Sequence, residues 1–160
     1  TIVTTMGEFK LALFTSKAPQ TTANFLKYVG EGFYDGDDGL GATTFHRVIK
    51  DFMVQGGGIA ANGAYKITHP AIPIESDNGL CNLRGSVAMA RTGDPNSATS
   101  QFFINHVDNP SLDYAGPQSL GYTVFGHVIE GMDVIDSIAT TSTNAADIPL
   151  NPILITDVFQ

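Results

Sequence analysis

Arg47 and Gln55 lie within a mainly apolar, strand-forming run, Phe45-His46-Arg47-Val48-Ile49-Lys50-Asp51-Phe52-Met53-Val54-Gln55-Gly56-Gly57. A guanidinium among aromatic and aliphatic side chains is costly unless paired, so its use there is to offer hydrogen bonds to a group entering an apolar pocket. A structural salt bridge or a snorkelling side chain would also account for it. A second block runs from Ala88-Met89-Ala90-Arg91 through Ser97-Ala98-Thr99-Ser100 to Gln101-Phe102-Phe103-Ile104-Asn105. Neighbours on a strand face opposite ways, so Gln101 and Phe103 share one face while Phe102 and Ile104 share the other. One face can then be core and the other an apolar floor with a hydrogen-bonding edge, although both phenylalanines could simply be core.

Other chemistries find less support. The four histidines, His46, His69, His106 and His127, make no His-Glu-x-x-His pattern and no tight Cys/His group, so no metal and no cofactor is expected. Ser100 lacks the Gly-x-Ser-x-Gly elbow of many hydrolases. Gly56-Gly57-Gly58 lacks the Lys-Ser/Thr of a phosphate loop, and close packing or a strand exit explains it better. Asp35-Gly36-Asp37-Asp38 could hold calcium loosely, but a solvated turn is the simpler explanation.

The elements that must position these residues follow from hydrophobic periodicity. Thr1–Thr5 and Glu8–Phe14 flank a break at Met6-Gly7 and predict a hairpin. Between Ser16 and Gly32 the period becomes helical, with Pro19 in the first turn, Thr22, Phe25, Leu26 and Val29 on one face, and Gly30 and Gly32 as stops. Strand character returns over Thr43–Gly57. Gly58–Asn82, with Pro70 and Pro73, predicts loop with short extended pieces. Gly85–Arg91, Ser100–Asn105, Tyr122–Val128 and Ile153–Val158 predict further strands, Asp108–Gly121 a polar excursion, and Gly131–Ala139 a second helix. Many strands with two helices at opposite ends of the sequence predict a mainly β fold, a closed antiparallel barrel capped by helices.

Length and composition agree with one globular unit over residues 1–160: 42% hydrophobic residues, only 15% charged, ten Phe and no Trp. A net charge of −8 argues against a nucleic-acid partner, since phosphate binding draws on clustered Lys and Arg. The single cysteine, Cys81, forms no intrachain disulfide. No apolar run approaches the ~18 residues of a membrane span, so no membrane partner is expected. The expected compartment is the cytoplasm; a periplasmic or secreted protein whose signal has been removed is the alternative.

Both blocks resemble the signature motifs of the cyclophilin-type peptidyl-prolyl cis-trans isomerases. The resemblance extends from the helix motif Ala18, Pro19, Thr21, Asn24, Phe25 to Val124-Phe125-Gly126 and Glu130-Gly131-Met132. Arg91 and Tyr122, where the eukaryotic pattern usually has Asn and His, are similar to the bacterial branch. The resemblance implies an eight-stranded barrel with a helix over each mouth. It also implies catalytic roles for Arg47, Phe52 and Gln55, and substrate contacts by Met53, Ala90, Arg91, Gln101, Phe103, Leu112 and Tyr122. The implied activity is isomerisation of X–Pro bonds in peptides and in unfolded or flexible protein clients, assisting folding, with no cofactor and as a monomer. Ser111 departs from the family, which commonly has an aromatic before the Leu-Asp pair, here Leu112-Asp113, and weak cyclosporin A binding is therefore expected.

Rotation about a peptide bond crosses ~18–20 kcal/mol, and X–Pro is the bond whose two isomers are both commonly populated. No bond to a nucleophile is needed. An arginine N–H aimed at the proline nitrogen strengthens as that nitrogen loses conjugation, which favours the twisted transition state. A proline-peptide binding module with incidental turnover and a hollow barrel storing a small apolar ligand are the alternatives; the first would need the pocket more than the guanidinium, the second a cavity that the many bulky core residues oppose.

Overall fold

The computed structural model describes residues Thr1–Gln160. Its elements are β1 (Ile2–Thr4), β2 (Gly7–Leu13), α1 (Pro19–Gly30), β3 (Arg47–Ile49), β4 (Met53–Gly56), β5 (Ser86–Met89), β6 (Phe102–Asn105), β7 (Val124–Glu130), α2 (Met132–Ala139) and β8 (Ile155–Val158). A short 3-10 turn covers Pro110–Leu112. The strands form one antiparallel sheet in the order β3-β4-β6-β5-β7-β2-β1-β8.

The sheet curls into a barrel, but the expected full closure is overstated: no ladder joins β3 to β8, the two ends of the strand order. Chain just before those strands bridges the gap. Thr44 pairs with Leu154, the Phe45 amide donates to the Ile153 carbonyl, and the Ile155 amide donates to the Thr43 carbonyl. The predicted strand over Thr43–Gly57 is in fact a hairpin. Asp51 turns the chain between β3 and β4 with φ of 58°, a left-handed conformation that aspartate tolerates better than most residues. Its amide donates to His106 Nδ1 at 3.0 Å, which anchors the turn.

Inside the curl lies a cluster of 23 buried apolar residues. Phe102 of β6 sits at its centre, edge-on to Phe25 of α1, Tyr34 and Phe45 at centroid distances of 5.6, 5.6 and 6.0 Å. Edge-to-face rings gain from the aromatic quadrupole beyond the area they bury. Helix α1 enters this cluster through Phe25 and Tyr28, and α2 through Ile135 and Ile138. The first turn of α1 has no cap from its own N-cap residue, Ala18; Glu75 supplies one from across the fold, accepting from the Gln20 and Thr21 amides and the Thr21 hydroxyl.

The Asp35–Asp38 turn is not simply solvated. Lys66, with only 3% of its side chain exposed, donates Nζ to the Phe33 and Gly41 carbonyls at 2.6 and 2.8 Å and pairs with Asp38 at 2.7 Å. It also lies 4.7 Å from the centre of the Phe33 ring. Asp35 accepts from the Asp37 and Val158 amides. An internal ammonium thus takes Asp38 together with two backbone carbonyls, while Asp35 is spent on backbone amides. Lys66→Met should leave Asp38 and two carbonyls without their cation and cost roughly 3 kcal/mol or more, as for other broken buried pairs. Urea denaturation measures this, and Lys66→Met with Asp38→Asn should regain part of the loss; an unchanged midpoint in the single variant would show that the pair carries no stability.

Candidate active site

One row of paired residues crosses four strands: Arg47 on β3 faces Gln55 on β4, Gln55 faces Phe103 on β6, and Phe103 faces Ala88 on β5. Residues directly opposite one another share a face, with Cβ atoms about 4.5–5.5 Å apart. The next row, Val48, Val54, Ile104 and Val87, faces the other way and is fully part of the core. Alternation alone therefore separates the two sides of the sheet.

Above the first row lies a pocket of about 110 Å³ lined by Arg47, Phe52, Met53, Gln55, Ala90, Arg91, Phe103, Leu112 and Tyr122. Benzene is taken by an apolar cavity of ~150 Å³, so this volume suits a somewhat smaller ring. Phe103 forms the floor with Met53, Ala88 and Val124, and is only 4% exposed; the face expected to be an open platform is roofed by loop residues. Tyr122 stands edge-on to Phe103 with ring centres 5.6 Å apart. A larger hollow, about 530 Å³, lies elsewhere beside Lys17, Glu75, Asp77 and Asn78, but it is mainly polar and has no arginine.

The polar groups differ in how far they are committed. Arg47 is exposed at the pocket rim and enters none of the ion pairs of the fold, so the cost of burying an unpaired guanidinium does not arise. Arg91 is largely committed: Nε and Nη2 donate to the Gly121 carbonyl at 3.0 and 2.8 Å, Nη1 donates to the Thr92 carbonyl, and the guanidinium lies 4.7 Å from the Tyr122 ring centre. It pins the wall carrying Tyr122. Gln55 Nε2 donates to Gln101 Oε1 at 2.9 Å. Gln101 itself stands outside the pocket, in an adjoining depression with Thr92, Ser97 and Thr99.

Sequence motifs did not reveal what holds Phe52 and Leu112, which lie outside the strands. Buried Asn109 donates to the Phe52 carbonyl at 2.9 Å and to Asn105 Oδ1 at 2.7 Å, while Asn105 donates to Asn82 and Ser86. Asn82 in turn donates to the Leu112 carbonyl, and its amide to Asp113. Asn82, distant in sequence, and the neighbouring Asn105 and Asn109 thus fix both pocket walls. Asn105, a polar residue ending an apolar strand, was the one available signal.

A sheet of this topology carrying this pocket on its outer face defines a cyclophilin-type fold. The cyclophilin type peptidyl-prolyl cis-trans isomerase family model matches residues 1–159. Peptidyl-prolyl cis-trans isomerase A of Dickeya dadantii is 48% identical, with 96% of this chain and 80% of that protein covered. Peptidyl-prolyl cis-trans isomerase B of Escherichia coli is 45% identical, with 99% and 96% covered. Among solved structures, a Cryptosporidium parvum cyclophilin crystallised in the presence of the dipeptide Ala-Pro is similar, with TM-score 0.79, 29% identity and 98% and 94% covered. The chain belongs to the cyclophilin-type peptidyl-prolyl cis-trans isomerase family, in its bacterial-like branch, and is an enzyme of that class.

His46, next to Arg47, carries a buried Nδ1 with no hydrogen-bond partner. Burial pushes its imidazole below the usual 6.5; the Thr44 backbone and the Gln101 side chain partly offset this, and the Arg47 charge adds to it. The unfolded chain therefore takes up the proton first. His46 contributes stability that is present above about pH 6.5 and lost as pH falls through the folded value. Urea midpoints followed against pH should drop more steeply on the acid side for the wild type than for His46→Gln, and parallel curves would show that the imidazole is equally easy to charge in both states.

Proposed function

We propose that this chain isomerises X–Pro bonds in peptides and in unfolded or flexible proteins, so assisting their folding, with Arg47 stabilising the twisted amide. The observation that carries this is an unpaired guanidinium set in register with Gln55 and Phe103 at the rim of a ring-sized apolar pocket. The pyrrolidine ring enters between Phe52, Met53, Phe103 and Leu112, and Ala90 and Tyr122 complete the wall. With the ring held, the preceding carbonyl turns. Arg47 then donates to the proline nitrogen, whose lone pair is freed only in the twisted form, so the bond is stronger in the transition state than in either planar state. Arg47 acts as neither acid nor base.

Gln55 has two amide hydrogens, and only one is engaged by Gln101. The other can donate to a substrate carbonyl, with Gln101 fixing the orientation of the amide. Arg91 acts through Tyr122 more than by direct contact, since most of its donors are taken. The reaction transfers no atom or electron, so it needs no cofactor. Burying one ring-sized side chain gives only ~1.5–3 kcal/mol, which favours weak binding and rapid exchange of clients. The Ala-Pro dipeptide named with the Cryptosporidium parvum cyclophilin supports proline-containing peptides as partners. A single isomerase domain over residues 1–160, acting as a monomer in the cytoplasm, completes the proposal; for membranes, no helix is long and apolar enough to cross one.

Arg47→Ala should lower kcat/KM on short X–Pro peptides by roughly ten- to a hundredfold, since a hydrogen bond from a charged group is worth ~1.5–3 kcal/mol. Arg47→Lys should recover little, because an ammonium does not reproduce the planar fork. Near-native turnover in a folded Arg47→Ala protein would overturn the role given to Arg47. Ser111, exposed in the 3-10 turn beside Leu112, concerns cyclosporin A. Weak binding by the wild type is expected, and Ser111→Trp should tighten it at least about tenfold by adding apolar contact and an N–H donor. Calorimetric titration of both proteins tests this; tight wild-type binding, or no gain from tryptophan, would count against the role given to this position.

A further inference from the structure

Arg47 lines a second concavity as well as the proline pocket, an apolar groove of about 420 Å³ on its far side. One wall carries Ile59, Ala60 and Tyr65 and the other Ile148 and Pro149. Tyr65 is 75% exposed and Ile148 47%, so large apolar surfaces face solvent within reach of the active site. Grouped exposure of this kind marks a binding surface, whereas single exposed apolar residues do not.

Both walls are built before anything binds. Ile59 bridges Tyr65, and the Ala60 and Gly63 amides donate to the Ala64 and Ala60 carbonyls, each at 2.9 Å. In the other loop Thr143 bridges Pro149, and Asn144 Oδ1 accepts from the Ala146 and Ile148 amides at 2.9 and 3.1 Å. The Val48 amide, one residue from Arg47, donates to the Asp147 carbonyl at 2.8 Å and ties this loop to β3. The groove therefore has a fixed position relative to the catalytic arginine. Its volume falls within the range of ligand sites, and its lining offers few polar contacts, which suits an apolar or aromatic side chain.

We infer that this groove takes an apolar or aromatic residue flanking the proline in the same client chain, so that Arg47 separates two subsites read by one peptide. The inference rests on the isomerase function proposed above. Continuity is what selects this occupant: a chain with its proline in the pocket passes Arg47 and reaches the groove within a few residues, since extended backbone covers ~3.3–3.6 Å per residue. A ring-sized pocket alone binds weakly, and the groove adds both affinity and a preference for prolines near exposed hydrophobic residues.

The test uses peptides sharing an Ala-Pro core, with Phe or Ser at successive positions on either side, and exchange NMR to read kcat/KM. The wild type should prefer Phe at one flanking position by roughly five- to tenfold. Ile148→Asp spoils the groove and Ala61→Trp, from the same lining, fills it; both should bring that preference below about twofold while leaving Ser-flanked peptides within about twofold of wild type. Amide shifts at Tyr65 and Ile148 should follow titration with the Phe peptide and not with the Ser peptide. Equal rates for all flanks, a preference that survives both variants, or unmoved amides would overturn the groove assignment with the isomerase function intact. Absence of turnover on every peptide would overturn the function itself, and shifts at Tyr65 and Ile148 would then still decide whether the groove binds.

Discussion

The pleat of β6 is the constraint on which the rest of this molecule depends. Phe102 points into the curl and meets Phe25, Tyr34 and Phe45, while Phe103, one residue on, points outward and floors the pocket. A shift of register by one residue would exchange the two, since side chains alternate with a period of two. The core that stabilises the fold and the floor that receives the ring are thus opposite faces of the same short strand. Across β3, β4, β6 and β5 the same alternation sends one row inward as Val48, Val54, Ile104 and Val87 and another outward as Arg47, Gln55, Phe103 and Ala88. Close packing of the inner row makes the outer row rigid, because any sliding of a strand would have to open the interior.

Strands alone do not complete the pocket. Phe52 and Leu112 come from a turn and a 3-10 helix, and they are fixed by the chain of buried amides running through Asn109, Asn105 and Asn82. Such a network is stiff when every member is satisfied and costly when one is removed, because the groups left behind are out of reach of water. Arg91 does for Tyr122 what the asparagines do for Phe52 and Leu112, holding it through the Gly121 carbonyl and the face of its ring. Only Arg47 among the pocket's charged groups is left free of such structural duty.

Much of this was legible in the chain, and the remainder was hidden for physical reasons. The opening hairpin, both helices, and the opposed faces of Phe102 and Phe103 followed from periodicity because each depends on contacts between near neighbours. The turn at Asp51 was missed: apolar residues flank the Lys50-Asp51 pair closely on both sides, and one charged pair is a weak turn marker without the positive φ that only the fold displays. Full closure was overstated because the gap between β3 and β8 is crossed by irregular chain at Thr43–Phe45 and Ile153–Leu154, which carries no strand period. The pocket residues were gathered by motif, but the separation of Gln101 into a neighbouring depression and the commitment of the Arg91 donors depend on pairings between distant segments, Gln55 with Gln101 and Arg91 with Gly121. The asparagine network was invisible for the same reason.

Lys66 gives the Asp35–Gly41 turn a cation that cannot leave. A loop organised by a dissociable ion is ordered only in proportion to occupancy, so its order follows the concentration of that ion relative to its dissociation constant. Here the ammonium is joined to the loop through the backbone, and the relevant quantity is an effective concentration set by chain geometry, which dilution does not change. The turn packs beside Phe33 and Tyr34, and Tyr34 meets Phe102 edge-on. The geometry of the strand beneath the pocket is thereby insulated from the ionic composition of its surroundings.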